Sequence, residues 1–108
     1  MKILSLLVFF LSAVFASAAT YYIDFAGGDN AADGLTPDTA WKHSPGDSNA
    51  TDNPANVALQ PGDKLLFKGG VQYFGEIHLK GIAGTEEAPI VLDGNSDGSF
   101  GTGPAILD

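Results

Sequence analysis

The chain has 108 residues, room for one domain, with 13 acidic and 5 basic side chains, a formal net charge of −8 and no cysteine. A surface this acidic repels phosphate backbones, which argues against a nucleic-acid partner, and it offers no basic patch to an acidic polysaccharide. Without disulfides, stability has to come from a packed core or from something bound.

Residues 1–18 read as a secretory signal peptide. Met1-Lys2 gives a positive start, Ile3 to Phe15 is almost wholly apolar, and Ala16-Ser17-Ala18 supplies the small residues of a cleavage site. The apolar run is shorter than the roughly 20 residues that span a bilayer, so a membrane anchor is the poorer reading. The sequence therefore predicts cleavage after Ala18 and an exported product, extracellular or periplasmic, comprising residues 19–108. No later stretch is apolar enough to cross a membrane.

Tyr21-Tyr22-Ile23, aromatic and β-branched, predicts the first strand. DFAGGDNAADGLTPDTAW follows, a turn-rich loop ending in Trp41, the single tryptophan, which is expected to plug the open end of the first coil. His43 to Ala58 reads as a long polar loop with one helical turn near Pro54 to Leu59. Four brief strands then follow in series: Leu65–Phe67, Ile77–Leu79, Ile90–Leu92 and Ala105–Leu107. Their starts lie 12, 13 and 15 residues apart, so every second strand recurs after 25 or 28 residues, within the range of solenoid repeats. A β-sandwich also uses short strands, but it favours longer alternating ones joined by tight hairpins. Brief strands with long connections suit a parallel β-helix better. In LQPGDKLLFKGGVQYFGEIHLKG, Pro61-Gly62-Asp63 is the expected turn. Leu65 and Phe67 then point inward, Leu66 lies on the other face or at a bend, and Gly69-Gly70 permits a corner. Ile77 and Leu79 are expected to line the next side, with His78 facing out.

YYIDFAGGDNAADGLTPDTAW, LQPGDKLLFKGG and GTEEAPIVLDG, in that order, resemble the N-terminal region of right-handed parallel β-helix proteins of the pectate-lyase-like superfamily. The resemblance covers most of residues 21–94. It departs at SPGDSNATDNPANVA, where many relatives carry a capping helix. It implies an all-β fold, a right-handed single-stranded solenoid of which residues 19–108 are the N-terminal cap and first coils, apparently truncated. It further implies a parent protein that acts on polysaccharide as a lyase or glycoside hydrolase, with catalytic residues in later coils. A non-enzymatic, adhesin-like β-helix surface protein and a small secreted carbohydrate-binding β-sandwich are the alternatives.

Few residues carry chemistry of their own. Asp93, Asn95 and Asp97 with Gly98 match the first half of a calcium loop, D-x-N-x-D-G, whose alternate oxygens around a tight turn suit a hard cation. The twelfth position, where a bidentate Glu belongs, is Pro104, and an ordinary Asx-rich turn explains the same residues. Asp29 to Gly34 with Asp24 is a weaker cation candidate, and turn formation is the simpler reading. Tyr73 and Phe74 are adjacent, so an extended backbone sends one inward and one outward, the outward ring being a candidate sugar platform. Lys42, Lys80 and Glu76 read as solvated residues rather than as a base and an acid. His43 and His78 are isolated, and no catalytic residue can be named. Asn49-Ala50-Thr51 is a glycosylation sequon that has meaning only in a eukaryotic host.

Overall fold

A computed structural model of the chain describes residues 18–79 and 84–108; residues 1–17, which make up most of the predicted signal peptide, and residues 80–83, Lys80 among them, lie outside this description. The elements in chain order are β1 (Thr20–Ile23), a 3₁₀ turn (Pro37–Thr39), helix α1 (Asp52–Asn56), β2 (Lys64–Phe67), β3 (Gln72–Tyr73), β4 (Val91–Asp93) and β5 (Ile106–Leu107). Strand dominates and helix is slight. Among the described residues no helix is long and apolar enough to cross a membrane.

The strands fall into two small sheets, one ordered β1-β2-β4 and the other pairing β3 with β5. Every strand pairing is parallel. Tyr21 lies opposite Leu65, Leu65 opposite Leu92, and Tyr73 opposite Leu107. From β2 onward the chain visits the sheets alternately. Parallel neighbours need a crossover between them, which is the purpose of the long connections. The same fact removes the β-sandwich, whose sheets are antiparallel. Neither sheet closes or curls, so the described strands form an all-β arrangement with parallel ladders and no closed coil.

Two expected elements move. Ile77–Leu79 is not a strand: the segment after β2 pairs earlier, at Gln72–Tyr73, and Ile77 makes a single antiparallel bridge to Asp47. The 44–50 loop lies alongside, with the Gly46 carbonyl accepting the His78 N–H at 2.8 Å, and it occupies the edge that a longer strand would need. The helical turn comes at Asp52–Asn56, where Pro54 sits in the first turn and sacrifices no internal hydrogen bond.

β2 is buried on both faces, as a central parallel strand should be. Leu65 and Phe67 pack with Ile23, Leu59 and Tyr73 on one side, while Leu66 packs with Ala40 and Phe100 on the other. Leu65 is fully buried, a burial that contributes about 1.5–3 kcal/mol. Gly69, just after β2, lies beneath the turn that follows β4. A Cβ there would sit 2.0 Å from the Gly103 carbonyl oxygen, so only glycine allows the two turns to stack.

The two ends of the larger sheet differ. On the outer side of β1, Tyr22 N–H bonds to Gly34 O, Asp24 N–H to Trp41 O, and Trp41 N–H to Tyr22 O. Trp41 is buried, stacks on Tyr21 at 5.0 Å and donates Nε1–H to Ala32 O at 2.7 Å. Gly34, at φ +72°, lies against its indole where a Cβ would come within 2.5 Å. The tryptophan therefore lies along the outer edge of β1 and shields it. At the opposite end Val91 and Leu92 of β4 stay 40–42% exposed, and in the smaller sheet Ile106 and Leu107 of β5 stay 49–52% exposed.

Candidate functional site

The Tyr73-Phe74 pair splits as an extended backbone requires. Tyr73 turns inward and is 3% exposed, with its ring edge-on to Phe67 at 5.5 Å. Its hydroxyl donates to Asp47 Oδ2 at 2.5 Å and accepts from the Ser44 N–H at 2.9 Å. Burial, and then the Asp47 hydrogen bond, push the phenol well above its ordinary ionisation range. This pair fastens the 44–50 loop to β3. It takes no part in any surface site.

Phe74 turns outward and is 54% exposed. Its ring leans on Phe25 at 5.8 Å, and Phe25 in turn meets Tyr73 at 5.1 Å and His43 at 5.6 Å. Lys42 Nζ lies 4.1 Å over the Phe25 ring and donates to the Phe25 carbonyl at 2.7 Å. His43 is oriented through Asn30, whose Oδ1 accepts the backbone N–H groups of Lys42 and His43, leaving its Nδ2 to donate to His43 Nδ1 at 2.9 Å. That arrangement places the proton of a neutral His43 on Nε2.

Beyond Phe74, Glu76 and His78 are exposed while Ile77 and Leu79 pack towards the core. The Glu76 carboxylate lies 3.3 Å from His78 Nε2. The segment thus displays an aromatic face, a carboxylate and an imidazole along one surface. An aromatic face attracts the weakly positive C–H groups of a pyranose, and the two polar groups match its hydroxyls. Hydrolysis of a glycosidic bond needs two carboxyl groups at a set separation. Here Glu76 is exposed, whereas Asp47 is buried and committed to Tyr73 and Asn49.

The calcium-like loop uses its oxygens internally. Asp93 accepts from Ser96 N–H at 2.8 Å and Ser96 Oγ at 3.0 Å, and faces Lys64 at 3.5 Å. The Ser96 amide is the main reason its carboxyl ionises below the ordinary 3.8. Asn95, in the left-handed region at φ 75°, turns inward: its Nδ2 donates to Gly103 O at 2.9 Å and its Oδ1 accepts the Phe100 N–H at 2.9 Å. Asp97 is exposed and holds the Ser99 N–H at 3.0 Å. Each of the three side chains has its own turn to stabilise, and Asn95 is spent on pinning the 100–103 turn over Gly69. Among the described residues no group of three His, Cys, Asp or Glu side chains converges as a metal site would. Asp29 and Asp24 likewise cap local amides, at Ala31 and at Ala26 and Gly27.

Phe25 and Asn30 were not singled out by the sequence reading, although they support Phe74 and orient His43. Their only signal there was membership of a turn-rich loop. An open pocket of about 330 Å³ between Leu79, Gly84, Thr85, Pro89 and Ile90 has no titratable group in its lining among the described residues.

No protein-family model matches the chain. It is 32% identical over 87 residues to a lacto-N-biosidase of Bifidobacterium longum subsp. longum. That match takes in 80% of this chain and spans 5% of the length of the biosidase.

Proposed function

We propose that residues 19–108 are the N-terminal cap and first coils of a right-handed parallel β-helix of the pectate-lyase-like kind, within an exported protein that acts on carbohydrate. The observation that carries this reading is the ladder. From β2 onward the strands alternate between two sheets and pair in parallel with the strand two places on, β1 joins the outer edge of β2, and among the described residues Trp41 and residues 34–41 cover the β1 end alone. The other end presents four half-exposed aliphatic side chains and the free edges of β4 and β5, the form a ladder has where a further coil stacks on it. The similarity to a lacto-N-biosidase supports the carbohydrate half of the proposal, and its small share of that protein fits a supporting segment rather than a whole enzyme. Within such a protein this segment closes the solenoid and lends Phe74 to a glycan, while the bond-breaking groups lie elsewhere.

The test is to recover the native product with an antibody against residues 20–60, measure its intact mass and assay it for cleavage of a neutral oligosaccharide and of polygalacturonate. The proposal expects a mass well above that of residues 19–108 and release of sugar from one of the two. A product of only residues 19–108 that leaves both glycans intact would overturn it.

A further inference from the structure

The start of β1 faces a carboxylate that lacks a cationic partner among the described residues. Asp63 is 1% exposed. Its Oδ2 accepts the Gln60 N–H at 2.8 Å and its Oδ1 accepts the Ala19 N–H at 2.7 Å. The lysines nearby are engaged elsewhere: Lys64 with Asp93, Lys68 with Asp24, and Lys42 with the Phe25 carbonyl. An ionised carboxylate withdrawn from water is costly unless a charge and good hydrogen bonds compensate it. The Ala19 nitrogen is also the atom that becomes a chain terminus if the export signal is cut after Ala18.

We propose that cleavage of the Ala18–Ala19 bond by a signal peptidase creates the cation Asp63 is built to hold, so that processing completes the β1–β2 end of the fold. Hydrolysis consumes one water, leaving a carboxylate on Ala18 of the released leader and an α-ammonium on Ala19 of the mature chain. An α-amine with its ordinary pKa of about 7.7–8.0 is mostly protonated at pH 7. The existing contact then changes from a neutral amide donor to a charge-assisted one, roughly twice as strong. Nothing has to move. Ala18 is exposed, so the new end has space, and the Ala19 carbonyl already accepts the Lys64 N–H at 2.9 Å, which holds its nitrogen before Asp63. The inference rests on the export reading above, with its cut after Ala18, and adds to it a function for the new terminus.

The experiment starts with the full chain, exported from a host with a signal peptidase, and identifies the N-terminal peptide of the product by mass spectrometry. A second form carries one glycine inserted between Ala18 and Ala19, so that cleavage leaves the ammonium one residue away from Asp63. The expected result is a product beginning at Ala19, with the glycine-extended form melting about 5 °C lower or more. Asp63→Asn should lower the melting temperature and erase the difference between the two termini. Should that variant fail to fold, the comparison of the two termini decides alone. An uncleaved product overturns the inference together with the export reading, and a product cut at another bond overturns the inference and leaves export standing. A product beginning at Ala19 whose melting is unmoved by the extra glycine overturns the ion pair and leaves export standing.

Discussion

Replacing Tyr73 with Phe removes one oxygen and tests how much that side chain, beside the Gly46–His78 backbone contact, holds the 44–50 loop. That oxygen serves two buried partners, the Asp47 carboxylate and the Ser44 N–H, and Ser44 is fully buried. Losing a hydrogen bond to a charged acceptor costs about 1.5–3 kcal/mol, and stranding a buried amide costs about 1–3 kcal/mol. The Asn49 N–H still serves the Asp47 carboxylate at 2.8 Å, which limits the loss. We expect about 3 kcal/mol in total, a fall in melting temperature of about 12–24 °C for a domain of this size. The assay is urea denaturation of the protein followed by circular dichroism, with Asp47→Ala and the double variant completing a cycle. A coupling energy above about 1 kcal/mol is predicted. A loss below about 1 kcal/mol for Tyr73→Phe, with additive effects in the cycle, would refute the reasoning.

Three further outcomes follow from the geometry. On the proposed carbohydrate role, Phe74→Ala should weaken binding of a neutral oligosaccharide by about tenfold, as followed by amide shifts of residues 74–78 in an NMR titration, whereas Leu35→Ala, at an exposed leucine of the N-terminal loop, should leave it unchanged. Asn95→Ala should cost about 2–4 kcal/mol in denaturant melts, because it strands the Phe100 N–H and places alanine at φ 75°; Asn95→Gly should cost less, since only the hydrogen bonds are lost. Asp33, Asp93 and Asp97 all ionise below the ordinary 3.8, through the Thr39 hydroxyl, the Ser96 amide and the Ser99 side chain respectively. Groups depressed on folding stabilise fully above the unfolded value and lose that contribution as pH falls through the folded one. Melting temperature should thus drop on acidification below about pH 4, and Asp93→Asn should blunt the drop.

Strand positions were the most legible part of the fold. Tyr21-Tyr22-Ile23 and Leu65-Leu66-Phe67 are runs of strand formers fenced by turn residues, and both form strands with Leu66 on the face opposite its neighbours. Ile77-His78-Leu79 has the same look but pairs only at one point, because pairing depends on which backbone lies alongside, and there it is the 44–50 loop. Gln72-Tyr73, too short to give a pattern, became the strand instead because β5 lies in register with it. At the surface, adjacency alone required one of Tyr73 and Phe74 to face out, and burial decided for Phe74. The support of Phe25 comes from a residue nearly fifty positions earlier, a relation no local pattern encodes. Asn95 shows the limit of motif reading. Its D-x-N-x-D-G setting suits a cation, yet the positive φ turns its side chain inward to backbone groups.

The parallel ladder, alternating between the two sheets from β2 onward, carries the proposed function. NOESY spectra of the perdeuterated, amide-protonated protein would test it most directly. The account predicts cross-strand contacts between the Leu65 and Leu92 region and between the Tyr73 and Leu107 region, with the offset of parallel strands. Contacts of hairpin type between the segments around Phe67 and Tyr73, or between those around Asp93 and Ile106, would contradict it.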